Sequence, residues 1–169
     1  MSTKTSRTDR APLVFVPLRT DEAASLVTTG TLGGPVSAIA ITPGLCETFG
    51  VEPDSEDAEL AALQVAAVWS LIRGDRRLVM VARVDAHGDA DPGEEPNGAV
   101  LLPGLPLSAV TAFFTGPHPA DEADVARKLA HSDIDGAWQN TDVQALAADA
   151  PLLWHDVSEL PASVKAKER

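Results

Sequence analysis

A mixed α+β fold, built on a single sheet, is what this sequence predicts, on three observations. Short runs of apolar residues recur along the chain, helical stretches with clear start and stop residues separate them, and one helix is apolar on nearly every side. The 169 residues suit one domain that buries its core without metals or disulfides. A composition of 44% hydrophobic and 22% charged residues is that of a globular chain, not a disordered one. Residues 1–11, rich in Ser, Thr, Lys and Arg, read as a disordered tail, 12–161 as the domain and 162–169 as a frayed end.

The first strand is Leu13-Val14-Phe15-Val16, closed by Pro17. Thr20 or Asp21 can cap a short helix that ends near Gly30, and Gly30 to Pro35 reads as a loop. Val36 to Ile41 is the second strand. A helix lies between the two runs, so a β-α-β unit with parallel strands is the economical topology. Thr42-Pro43 starts a short helix through Cys46 and Phe49. The strongest element runs from about Asp54 to Arg73. Its start is acidic, Arg73-Gly74 ends it, and the apolar surface between predicts a central helix with Leu63, Ala67 and Leu71 buried. Leu78–Val84 is a third strand, 85–97 an exposed acidic loop, and Ala99–Leu102 and Val110–Thr115 are further strands. Asp121–His131 and Asp142–Ala148 read as helices and Leu152–His155 as a last strand.

Charge narrows the classes of partner. The net charge is −12, yet the first ten and last five residues each carry +2, which leaves the body at −16. Such a body repels phosphate backbones, so no nucleic-acid partner is expected; a basic protein partner suits it. No apolar stretch is long enough to span a bilayer and no signal-peptide h-region is present, so no membrane association and a cytoplasmic location are expected. Cys46 is the only cysteine, which excludes an intrachain disulfide and fits a reducing compartment.

Motifs for chemistry are sparse. Gly30, Gly33 and Gly34 follow a helix and lack the Gly-Lys-Ser/Thr of a phosphate loop. His87, His118, His131 and His155 show no ligand spacing, so no metal and no cofactor are expected. Asp85 and His87 could share a strand face, but the loop that follows favours solvated charge. That loop, with Asp89, Asp91, Glu94 and Glu95, lacks the register of a calcium site. Cys46 near a helix N-terminus reads as a small core residue rather than a reactive thiol, and Ser70 sits in an apolar helix without a nucleophile elbow. Arg73-Gly74-Asp75-Arg76-Arg77 reads as a helix stop and strand start, with weak anion contact as the lesser option.

Val14-Phe15-Val16-Pro17, Ala40-Ile41-Thr42-Pro43-Gly44-Leu45, Glu59 to Ala67 with Ser70-Leu71, and Leu153-Trp154 with Glu159-Leu160 occur in an order that resembles a family of small actinobacterial proteins grouped as a domain of unknown function. The resemblance covers roughly residues 13 to 161 and departs at Ile39, where a histidine is expected, and at His155, where a tyrosine is. It implies no activity, cofactor or substrate.

Two functional expectations follow. The first is a non-enzymatic interaction or regulatory protein. The second is a binding protein for a small anion or carboxylate, or a small enzyme, with its site at the ends of the first two strands. In a β-α-β unit Arg19 and Thr42 would share one sheet edge, beside the free amides of the helix that begins at Pro43. The plainer reading of the same residues is that Thr42 caps its helix and Arg19 pairs with an acid.

Overall fold

Branched residues in the apolar runs favour extended backbone, and in the computed structural model, which describes residues 11–84 and 94–168, six of them pair into one sheet. The strands are β1 (Leu13–Pro17), β2 (Thr31–Ala40), β3 (Leu78–Arg83), β4 (Ala99–Pro106), β5 (Val110–Thr115) and β6 (Leu153–Asp156), in the order β4-β2-β1-β3-β5-β6. Every pair is antiparallel. The mixed α+β class is as expected, but the parallel β-α-β unit is not. Helix α1 (Thr20–Thr29) lies between β1 and β2 in sequence, yet Val14 pairs with Ala40 and Phe15 with Ile39 in opposed directions.

The reason lies in residues 31–35, which the Gly and Pro cluster marks as a loop and the structure makes into strand. Gly30 takes the left-handed conformation (φ 83°) that ends α1, and β2 starts at the next residue. Thr31, Leu32 and Gly33 pair with Pro106, Leu105 and Gly104, and a bulge at Gly34-Pro35 resets the register before Val36. Gly34 is required there, because a Cβ would run into the Pro103 carbonyl. With Phe15 opposite Ile39, β2 overhangs the end of β1 by about six residues, or about 20 Å. Helix α1, about 15 Å long, carries the chain outward to that overhang instead of back along the sheet.

The remaining helices are α2 (Pro43–Phe49), α3 (Glu56–Arg73), α4 (Pro119–Lys128), α5 (Ile134–Trp138), α6 (Thr141–Asp149) and α7 (Leu160–Glu168). Alternate strand residues feed two cores. Val14, Val16, Met80, Leu102 and Phe113 pack against α1 and α7, while Phe15, Ile39, Val79 and Val81 pack against α3. Helix α3 is the central helix that its sequence predicts. Ser55 caps it by accepting from the Ala58 amide, and Leu63, Ala67 and Leu71 are buried. Its far side, Val68 and Leu71, joins a third core with Val125, Leu129, Ala137, Val143 and Leu146 of the α4–α6 layer. At the other end of the chain, Leu160 and Val164 are buried in the α1 core, and the helix that carries them runs from Leu160 to Glu168.

One ion pair is buried inside this frame. Arg77, just before β3, is 3% exposed, and the Glu122 side chain on α4 is 1% exposed. The Arg77 amide donates to Glu122 Oε1 (2.7 Å), and its Nη2 donates to Glu122 Oε2 (3.1 Å) and to the Ala150 carbonyl (2.6 Å). Three separate elements, β3, α4 and the end of α6, meet at this one guanidinium.

Candidate functional site

The antiparallel sheet separates the two residues that the sequence brings together. Arg19 follows the end of β1 and Thr42 the end of β2, so they stand at opposite ends of the sheet and form no common pocket. Each does a local job. Thr42 Oγ1 accepts from the Leu45 amide (3.1 Å) and caps α2. Arg19 is the N-cap residue of α1, where Thr20 or Asp21 is expected, and its amide donates to Glu22 Oε1 (2.9 Å). The Arg19 guanidinium pairs with Asp21 (3.1 Å), and that hydrogen bond holds the Asp21 carboxyl below the usual carboxylate range.

Other sequence candidates fall into structural roles. Cys46 is half-buried, and its neighbour Leu45 is the core residue of α2. Asp85, His87, Asp89 and Asp91 lie outside the described residues. Glu94, read as solvated charge, accepts from the Asn97 side chain (3.0 Å) and the Ile134 amide (3.2 Å), which ties the approach to β4 onto the start of α5. Arg73 donates to the Pro17 carbonyl (2.6 Å) and pairs with Glu22 (3.2 Å), linking α3 to α1. Among the described residues, no three His, Cys, Asp or Glu are grouped to hold a metal ion, and no helix is long and apolar enough to cross a membrane.

His155 makes the nearest approach to a catalytic arrangement. Its Nε2 is 2.8 Å from Thr115 Oγ1, and its Nδ1 is 3.9 Å from Glu159 Oε1. Hydroxyl, imidazole and carboxylate thus follow one another in the order of a nucleophilic triad. Burial decides against that role: Thr115 is 5% exposed, and the imidazole lies stacked on the Phe113 ring at 4.7 Å. A substrate carbonyl has no way to reach the hydroxyl, and the trio fastens edge strand β6 to β5.

The exposed feature that distinguishes the surface is an apolar groove between the first half of α3 and the β5–β6 end of the sheet. Helix α3 packs on β1, β2 and β3, and beyond it the same face of the sheet stays open. Phe15, Leu63, Val81 and Phe114 form the floor, and Leu60 and Trp154 flank it, exposed by 55% and 61%. Phe114 and Trp154 are direct cross-strand partners, which fixes the indole over this face. The charged side chain in the wall is Glu59. Asp156, two residues beyond Trp154 and so on its side of the strand, is held below the usual carboxylate range by hydrogen bonds from Ser158. Arg83 shares the face of Val81, but its guanidinium donates to the Ala11 carbonyl (3.3 Å). The groove is therefore apolar, with Glu59 in its wall and Asp156 and Arg83 on the same face of the sheet near it. Strand β6 beside it is the sheet's edge, and among the described residues no strand pairs with its outer side. Trp154 and Leu60 were not singled out as site residues from the sequence.

No curated protein and no solved structure matches the chain. The model of one family does match, over residues 13–164, and on that extent the chain belongs to the family of unknown function DUF6912.

Proposed function

We propose that this chain is an interaction protein that takes an extended, basic segment of a partner protein into the groove between α3 and β6. The observation that carries the reading is the pair Leu60 and Trp154, two large apolar side chains left in water on either side of an apolar floor. Contiguous exposed apolar surface of this kind marks contact sites. The open edge of β6 offers main-chain hydrogen bonds for strand addition, and the groove then accepts every second side chain of the added strand. Glu59 and Asp156 at the margin, on a chain of net charge −12, select lysine or arginine between the apolar anchors. The same charge works against a second copy of this chain as the occupant, since two acidic margins would face each other.

The test uses two synthetic peptides, one alternating leucine with lysine and one alternating leucine with glutamate, titrated against the protein while the Trp154 indole N–H is followed by NMR. Saturable movement with the lysine peptide, at least tenfold weaker movement with the glutamate peptide, and loss of both in Leu60→Ser and Trp154→Ser are expected. Equal response to the two peptides, or none, overturns the proposal. So does a dimer in sedimentation that Trp154→Ser dissociates, which would assign the groove to a second copy, or a rise in Trp154 solvent access on removal of residues 1–10, which would assign it to the chain's own N-terminal segment.

A further inference from the structure

A second cavity lies on the far side of α3 from the sheet, between α3 and α6. It has a volume of about 330 Å³, with Ala67, Val68 and Leu71 along one wall and Val143, Leu146 and Ala147 along the other. Trp138 and Arg77 also line it. They mark its two ends: the Trp138 carbonyl accepts from Gln144 near the start of α6 (3.3 Å), whereas Arg77 reaches the Ala150 carbonyl just past the end of α6. Apart from Arg77, the polar groups on the lining side chains are the amides of Gln64 and Gln144 and the indole N–H of Trp138.

Arg77 is the unusual member of this lining. Its Nη2 is bonded to Glu122 and Ala150, but its Nε is buried with no hydrogen-bond partner among the described residues. A buried N–H without an acceptor is unfavourable, and buried polar groups are otherwise paired almost without exception. The unmet donor belongs to a side chain that borders an apolar space large enough for a small organic molecule. From that conjunction we infer that the cavity is a binding site for a small neutral molecule with an apolar body and one hydrogen-bond acceptor, which bonds Arg77 Nε.

Charge sets the class of ligand. Glu122 stands 3.1 Å from the Arg77 guanidinium and already neutralises it, with both side chains almost fully enclosed. A carboxylate or phosphate brought to Nε would place a second anion beside Glu122 in a region of low dielectric, with one cation shared between the two. A ketone, amide or ester oxygen accepts the same hydrogen bond without that repulsion. The site therefore discriminates by charge against the anions for which an arginine would ordinarily be read as a receptor. Mostly hydrocarbon walls with a few placed polar groups are the usual make-up of a small-molecule site.

The inference is independent of the groove on the other side of α3, and it is tested with three probes of one size: hexanamide, hexanoate and hexylamine. Each is titrated against the full chain while the Arg77 Nε–H and the Val143 and Leu146 methyl signals are followed by NMR. Saturable shifts with hexanamide are expected, with hexanoate and hexylamine at least tenfold weaker. Arg77→Lys keeps a cation for Glu122 but has no Nε–H, and should weaken hexanamide at least tenfold. Ala147 is exposed at the cavity mouth, so Ala147→Phe fills the space without disturbing the core and should abolish the shifts with the fold intact. Hexanoate binding as well as hexanamide, no saturable shift with any probe, or undiminished binding in Ala147→Phe overturns the inference.

Discussion

Glu122→Ala tests how much of the fold depends on the buried ion pair. The substitution strands the Arg77 guanidinium, 3% exposed, without its counter-ion, and it leaves the Arg77 amide, which donated over 2.7 Å, without an acceptor. Breaking a buried pair by removing one member costs about 3–5 kcal/mol, because the remaining charge stays buried and uncompensated. A domain of this kind has about 5–15 kcal/mol in total, so the loss is a large share of the whole. Urea denaturation followed by circular dichroism is the assay, and the midpoint should fall while the slope is retained. The partner experiment reaches the same pair without touching a charge. Gly116 lies against Glu122 so closely that a Cβ added there would fall on its carboxylate. Gly116→Ala should therefore displace Glu122 and lose a comparable amount, and in combination with Glu122→Ala it should add little further. Replacing both Arg77 and Glu122 by Met should recover most of the loss. If Glu122→Ala and Gly116→Ala each cost less than about 1 kcal/mol, or if their effects add in full, the pair does not hold these elements together.

Three further outcomes are expected. Leu63→Ala removes a buried side chain between α3 and the sheet and should cost about 2–5 kcal/mol by chemical denaturation. Trp154→Ser and Leu60→Ser, at exposed positions, should change stability by less than about 0.5 kcal/mol in the same experiment. Asp156 accepts from the Ser158 amide (3.0 Å) and hydroxyl (2.6 Å), which lowers its folded pKa. A lowered pKa means that this contribution is present above the unfolded value and is lost as pH falls through the folded one. An NMR titration of Asp156 should show its midpoint rising in Ser158→Ala, and an unchanged midpoint would refute the assignment.

Local patterns made α3 legible: acids in the first turn, Arg73 in the last, and an apolar surface that could only be satisfied by burial on two sides. The orientation of β2 was not legible. A helix between two apolar runs has the same local signature whether it returns along the sheet or leads outward, and Gly33-Gly34-Pro35 looks like a turn until Pro103 of a distant strand supplies the reason for it. Arg19 and Thr42 were read from that missing fact, and their separation follows from it. Helix α5 was missed because Ile134–Trp138 is too short to show a period. The Arg77–Glu122 pair joins residues 45 positions apart, and no local spacing could announce it. The groove is a property of what α3 leaves uncovered, which only the packed molecule defines.

The packing of α7 against α1 bears on how this chain acquires its structure. Leu160 and Val164 occupy the same core as Val16 and Leu26, so the layer under α1 cannot close until those late residues have emerged from the ribosome. Central strand β1 meets its neighbour β3 over some of the longest sequence separations in the sheet, with Leu13 opposite Arg83. Contacts of that range slow folding, because loop closure must precede the gain from pairing. A chain stopped short of residue 160 lacks Leu160 and Val164, and the part of the α1 core that they cover is left open to water.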